Sequence, residues 1–380
     1  MSNIVSFNCE VLKSLLSNYE VTEEQLATKL NVSSSKVRAW IEKTNFPTYN
    51  QLIKIAESFK KPVIIFFMQN PPIEGIQVDF RSSQEFVSIE DKKRIGELID
   101  TVKTYQTSLE DLFTEDNRKC NIVKWSTEYL SNQSGFNQYL RNELDFSFEK
   151  QCSFKKATEV VEYLRDALYD HGIYVFKDSF RVNNISGLCV YNDKFPIILL
   201  NNKISFTRQV FTIFHELYHL LVKGSHIDLL DCYENESECD KFSGKFLIPQ
   251  EILEKDALEV QQCGNSKLNI DRLISDKANR YNVSREAYLY QLVRIGVVDN
   301  KFFAEFCAEN KQYLIRTKQD DISGGNYYFT KMNYLGKAYL GDLVAKYFSG
   351  KISLRYVAQY TQMKVPNVKK MISMMSGGRY

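Results

Sequence analysis

Three short runs rich in β-branched and aromatic residues, GIYVFKD (172–178), ISGLCVYND (185–193) and FPIILLNN (195–202), lead into one long apolar segment, FTIFHELYHLLVKG, at residues 211–224. Alternation between Gly, Asn and Asp turns predicts three strands of a small sheet. The unbroken apolar run of the third predicts burial on both faces or against helices. The segment that follows predicts a helix with Phe211, Phe214, Leu217, Leu220 and Leu221 on its buried side. Within it stand His215, Glu216 and His219. Positions four apart project from one face of a helix, so the two imidazoles come close enough to hold a single ion, with Glu216 beside it.

The chain has only four histidines. At that frequency an HExxH arises by chance in on the order of one chain in a few hundred. A metal-free histidine pair would also need hydrogen-bond partners in apolar surroundings. The pattern therefore points to a metal site. Catalytic zinc takes three protein ligands and keeps a fourth place for water, which requires one more donor. The spacing HExxHxxGxxH would need Gly at 222 and His at 225, where this chain has Val222 and Ser225. The nearby His226 is thus a poor fit as ligand and is weighed instead as an oxyanion donor, together with Tyr218. The next helix, NESECDKFSGKFLIP at 235–249, is ended by Pro249 and brings Glu234, Glu236, Glu238 and Asp240 as competing acids. Glu238 stands one turn before Phe242 and can look back at the histidines.

Toward the N-terminus, VTEEQLATKL opens with Thr22 as N-cap, and NVSSSKVRAWIEK follows a tight turn with Ser33 able to cap and with Val37, Trp40 and Ile41 on one side. Helix, short turn, helix with small polar residues leading the second is the pattern of a helix-turn-helix, although small helical bundles share it. QNPPIEG ends this region, and a long charged helix is expected from about Ile89 to Leu112. Near the C-terminus, ISLRYVAQYTQMKVPNVKKM has the look of a second, shorter unit of the same kind, read as a packing or partner-binding module.

With 49 basic and 47 acidic residues, total charge gives no argument for nucleic acid or membrane, so any such role needs a local patch. The eight cysteines are scattered with no CxxC pair, which fits reduced thiols and a cytoplasmic chain; Cys232 and Cys239, near the histidines, read as packing residues. The longest apolar runs, Val63 to Met68 and Phe195 to Leu200, fall far short of the roughly 18 to 20 residues a membrane span needs, so no membrane partner is expected.

Two resemblances sharpen this reading. Thr22, Leu26, Ala27, Leu30, Val32, Ser33, Val37, Trp40, Glu42 and Pro47 fall where the Cro/C1-type (XRE) helix-turn-helix family keeps its core and turn, with Glu23 in place of the usual Gln. This resemblance implies contact with double-stranded DNA through Ser33, Ser34, Ser35, Lys36 and Arg38. RQVFTIFHELYHLL followed by ESECDKFSGKFLIP resembles the ImmA/IrrE family of metallopeptidases over roughly residues 155–290. That implies His215 and His219 as ligands, Glu216 as general base and Glu238 as third ligand with Glu236 in reserve. Asp240, where the family prefers Asn, is then placed to orient a histidine. Tyr218 stands where the family commonly has Gly, and Cys239 and Gly244 where it has Ala.

The expected fold class is α+β. It comprises an N-terminal all-α helix-turn-helix bundle (1–70), a linker and helical region (71–150), a mainly helical zincin-like metallopeptidase domain with a small β-sheet (151–295) and a helical C-terminal region (296–380). The implied function is a zinc endopeptidase, with manganese as the other fitting ion, acting on a repressor-like protein. A DNA-binding regulator whose HExxH domain senses rather than cuts, and an antitoxin-like partner protein, are the competing readings.

Overall fold

The computed structural model describes residues 7–18, 21–59, 63–67, 89–113, 119–182, 185–224, 232–262, 267–317 and 326–375. The expected α+β class is met by nineteen α-helices and one three-stranded sheet among these residues. They fall into two units, Met1–Lys103 with Phe180–Ile185, and Thr104–Ser179 with Ser186–Tyr380.

In the first unit, α1 (Cys9–Asn18), α2 (Glu23–Leu30), α3 (Ser34–Ile41), α4 (Tyr49–Ser58) and a 3-10 turn at Val63–Phe67 close around the buried Leu12, Leu15, Val37, Trp40, Leu52 and Ile55. Thr22 and Thr48 each form a capping box, with Gln25 and Gln51, which satisfies otherwise orphaned amides at the starts of α2 and α4. Asn31, at φ 55°, ends α2 in the left-handed conformation that Asn tolerates, and its amide and that of Val32 bond back into the helix. The chain thereby turns sharply enough for α3 to pack across α2. The expected charged helix is α5 (Ile89–Phe113).

The second unit continues with α6 (Ile122–Ser131), α7 (Phe136–Glu143), α8 (Phe148–Ser153) and α9 (Ala157–Asp170). The three predicted strands follow as β1 (Tyr174–Asp178), β2 (Gly187–Val190) and β3 (Ile197–Asn201). Then come α10 (Phe206–Gly224), α11 (Cys232–Leu247), α12 (Gln250–Gln262), α13 (Lys267–Tyr281) and α14 (Arg285–Arg294). The chain closes with α15 (Asn300–Thr317), α16 (Tyr327–Leu335), α17 (Lys337–Phe348), α18 (Leu354–Tyr360) and α19 (Val365–Met375).

The sheet runs β1-β3-β2, with β1 parallel and β2 antiparallel to β3. β3 is central and buried throughout, which accounts for its lack of alternation. The register puts Val175, Ile198 and Cys189 in one row, on the face packed against α9 and α10. Tyr174 and Phe176 point to the other face, where Phe176 meets Tyr105 of α5 at 4.3 Å and Tyr339 of α17 at 5.1 Å between ring centres. Arg165 of α9 joins the layers. Its guanidinium donates to the carbonyls of Val175, Asn333 and Tyr334 and pairs with Glu162 at 3.1 Å. The C-terminal helices are thus bonded to the layer that carries the sheet.

Candidate functional site

α10 crosses the sheet with its central turns buried, and His215, Glu216 and His219 are 0%, 3% and 5% exposed. The Nε2 atoms of His215 and His219 lie 3.2 Å apart. α11 packs against α10 and offers a polar seam at i, i+3 and i+4. Glu236 places Oε2 at 3.3 Å from His215 Nε2 and Oε1 at 3.3 Å from His219 Nε2. Cys239 places its sulfur 3.4 Å from His219 Nε2, and Asp240 accepts at 2.8 Å from His215 Nδ1. Burial alone would push the Glu236 carboxyl up; the two imidazoles outweigh it and hold this carboxyl well below the usual range.

These spacings have a chemical meaning. Donors about 2.0–2.3 Å from a tetrahedral zinc stand about 3.3–3.6 Å from one another. The separations between the two imidazoles, from each imidazole to a Glu236 oxygen and from His219 to the Cys239 sulfur, 3.2–3.4 Å, are close to that spacing, and one ligand atom from each of His215, His219 and Cys239 fits within 4.8 Å of the others. With Nδ1 of His215 turned to Asp240, its Nε2 faces the cluster, the outer-sphere arrangement that fixes a metal-binding imidazole.

Glu238, expected as the third ligand, is not brought to the histidines. Its carboxylate is 52% exposed and bonds Lys241 at 2.6 Å. The reason is helical phase. The buried face of α11 runs through Cys239, Ser243 and Phe246, and Glu238 lies about 100° off it. Glu236, three residues before Cys239, lies on that face. The sequence signal that finds it is the spacing Glu236–Cys239–Asp240, which also recruits the cysteine read as packing.

Tyr218, weighed as an oxyanion donor, is a core residue. Its hydroxyl bonds that of Tyr129 at 3.0 Å and its ring packs on Phe242. Burial, and then the bond to Tyr129, push its phenol far up, so it stays neutral. His226 lies outside the described residues, as does the sequence around Pro71, Pro72 and Gly75.

Glu216 is set by the strand beside it. A Cβ at Gly187, the first residue of β2, would come within 2.5 Å of Thr212 Cγ2 and 2.9 Å of Glu216 Oε1. Glycine therefore lets β2 lie directly over the glutamate. One turn earlier on α10, the buried Thr212 hydroxyl has no hydrogen-bond partner among the described residues, so a polar atom beside Glu216 has a bond to give.

The residues expected at DNA sit around the start of α3. Ser33 precedes the helix without a side-chain cap bond, its hydroxyl instead 3.0 Å from that of Ser35. Ser35, Lys36 and Arg38 are exposed and Ser34 is half-buried. Arg38 pairs with Glu23 at 2.9 Å, across the turn between α2 and α3.

Two imidazoles four residues apart on a buried helix, faced by a carboxylate and a thiol from the next, make a donor set for one divalent ion beside a buried glutamate, the equipment of a metallohydrolase. Residues 169–293, which are 125 of the 380, match the family model of peptidase M78, described as the IrrE N-terminal-like domain. The match supports a metallopeptidase domain spanning the sheet, α10, α11, α12, α13 and nearly all of α14. No curated protein and no solved structure matches the chain. Among the described residues, no helix is long and apolar enough to cross a membrane.

Proposed function

We propose that the chain is a zinc endopeptidase of the cytoplasm that cuts a repressor-like protein, with α2 and α3 acting as a helix-turn-helix on double-stranded DNA. The observation that carries the hydrolytic reading is the convergence of His215, His219 and Glu236 at 3.2–3.3 Å from one another. His215, His219 and Glu236 are the ligands in this reading, and Asp240 holds the His215 tautomer. A bound divalent ion supplies Lewis acidity, lowering the pKa of water toward 7 and polarising a peptide carbonyl.

Glu216 accepts a proton from the attacking water and returns it to the leaving nitrogen. The apolar walls of α10 exclude bulk water, and Thr212 supplies an unused hydroxyl within one turn of Glu216. The Cys239 sulfur, as a soft donor added to imidazole and carboxylate, favours zinc over manganese. A DNA-bound module in the same chain raises the effective concentration of the peptidase near a DNA-bound substrate.

One observation favours the second reading, a regulator that senses metal without cutting. With Cys239 also coordinated, four protein donors would close the site, as in structural zinc centres. Mass spectrometry of repressor-type proteins after incubation with the purified, metal-assayed chain separates the two. Cleavage by the wild type, lost by about 10²–10⁴-fold in Glu216→Gln at unchanged metal content, is the result expected of the enzyme. Full cleavage by Glu216→Gln overturns the catalytic assignment.

A further inference from the structure

The last two helices repeat the geometry of α2 and α3 at a constant offset. Ser353 caps α18 where Thr22 caps α2, each side chain accepting from the amide three residues on. Gln362 has φ 54° where Asn31 has φ 55°. Behind each left-handed residue the next amide reaches five residues back, Met363 to Ala358 at 2.9 Å and Val32 to Ala27 at 3.0 Å. The second helix of each pair is anchored alike, by the fully buried Val368 and Met371 in one and Val37 and Trp40 in the other. Each position in one pair lies 331 residues from its counterpart. Side chains differ at most of these positions, yet turn type, crossing alanine and buried spacing coincide, so the resemblance is one of backbone architecture.

Charge separates the two. Residues 21–45 hold four basic and three acidic side chains, and Arg38 is already paired with Glu23. Residues 349–375 hold Lys351, Arg355, Lys364, Lys369 and Lys370 and no acid. All five are exposed, and among the described residues none has a carboxylate partner. Lys364 stands just before α19, and Lys369 and Lys370 lie along it, where a groove-inserted helix meets phosphates. In a near-neutral chain, α18, α19 and the residues flanking them thus form a locally basic stretch without an acid.

We propose that α18 and α19 form a second helix-turn-helix, which binds double-stranded DNA through the N-terminal half of α19. Phosphate contacts dominate such binding and give it a measurable salt signature: each phosphate neutralised by a lysine contributes about 0.9 to the slope of log affinity against log salt. The proposal does not rest on the peptidase reading or on DNA binding by α3.

The test is fluorescence anisotropy of the full chain with a mixed-sequence DNA duplex across a salt series. The variants are Lys364→Ala/Lys369→Ala/Lys370→Ala, the same three positions changed to Arg, and Lys36→Ala/Arg38→Ala. The alanine triple is expected to weaken duplex binding at least about tenfold and to lower the salt slope by about 2–3, with the arginine triple near wild type. The loss is expected equally in the Lys36/Arg38 background. Circular dichroism confirms the fold, since all three lysines are exposed. An alanine triple that keeps wild-type affinity and slope overturns the proposal, as does tighter binding of an RNA hairpin than of the duplex. Zinc content and cleavage, unchanged in the triple, keep this outcome separate from the fate of the peptidase reading.

Discussion

Glu236 and Glu238 are two residues apart and chemically identical, yet only one faces the histidines. Glu236→Gln is therefore expected to lose bound metal while Glu238→Gln keeps it, as elemental analysis of the purified proteins will show; equal metal in both would remove Glu236 from the ligand set. Cys239 tests the identity of the ion. Cys239→Ala is expected to lower the preference for zinc over manganese in a competition assay, and an unchanged preference would make the thiol a packing residue after all. The His215–His219 pair was legible in the sequence because ligand spacing and helix period coincide. The acid that faces them was not, because acids at 234, 236, 238 and 240 all fit one polar stretch. Only the phase of the buried face, set by Cys239, Ser243 and Phe246 against α10, chooses among them.

At the scale of elements, the strands and most helices could be read from alternation, caps and apolar period. Thr22 is the N-cap its sequence suggested, and α5 runs one residue beyond its expected end. What could not be read was pairing: nothing local says that β1 and β2 both pair with β3, one parallel and one antiparallel. That pairing is what brings Gly187 over Glu216. Gly187→Val would drive a side chain into Thr212 and the Glu216 carboxylate, where a Cβ alone already comes within 2.5 and 2.9 Å. Overpacking of this kind costs about 1–3 kcal/mol. The expected outcome is a folded chain with metal bound and cleavage sharply reduced, measured by elemental analysis and peptide mass spectrometry. Undiminished cleavage would show that β2 does not position Glu216. Gly244 meets a similar limit in α11, where a Cβ would lie 2.1 Å from the amide nitrogen of the buried Gln291. An alanine there would force Gln291 to move.

At the scale of the whole molecule, a buried charge network makes stability depend on pH. Glu162 pairs with Arg165 at 3.1 Å and with the fully buried Lys177 at 2.8 Å, between α9 and β1. Nothing in the sequence marked Lys177 as internal, because a strand alternation cannot show that a half-buried carboxylate from the preceding helix stands beside a lysine. Burial, and then the neighbouring Arg165 charge, bring Lys177 down from 10.5 to about 8 against the attraction of Glu162. Below pH 8 the folded chain holds this ammonium at a cost. Between about 8 and 10.5 the folded chain has released the proton while the unfolded chain still binds it, so this residue's contribution to stability rises with pH. The full change amounts to about 3 kcal/mol. Lys177→Met removes the group and leaves Glu162 its arginine. Denaturant unfolding of wild type and variant across this window is expected to show the wild type gaining on the variant by up to about 3 kcal/mol as pH rises from 8 to 10.5. Other titrating groups cancel in that difference. Parallel stability curves would mean that water reaches Lys177 and that α9 and β1 open together more readily than their packing implies.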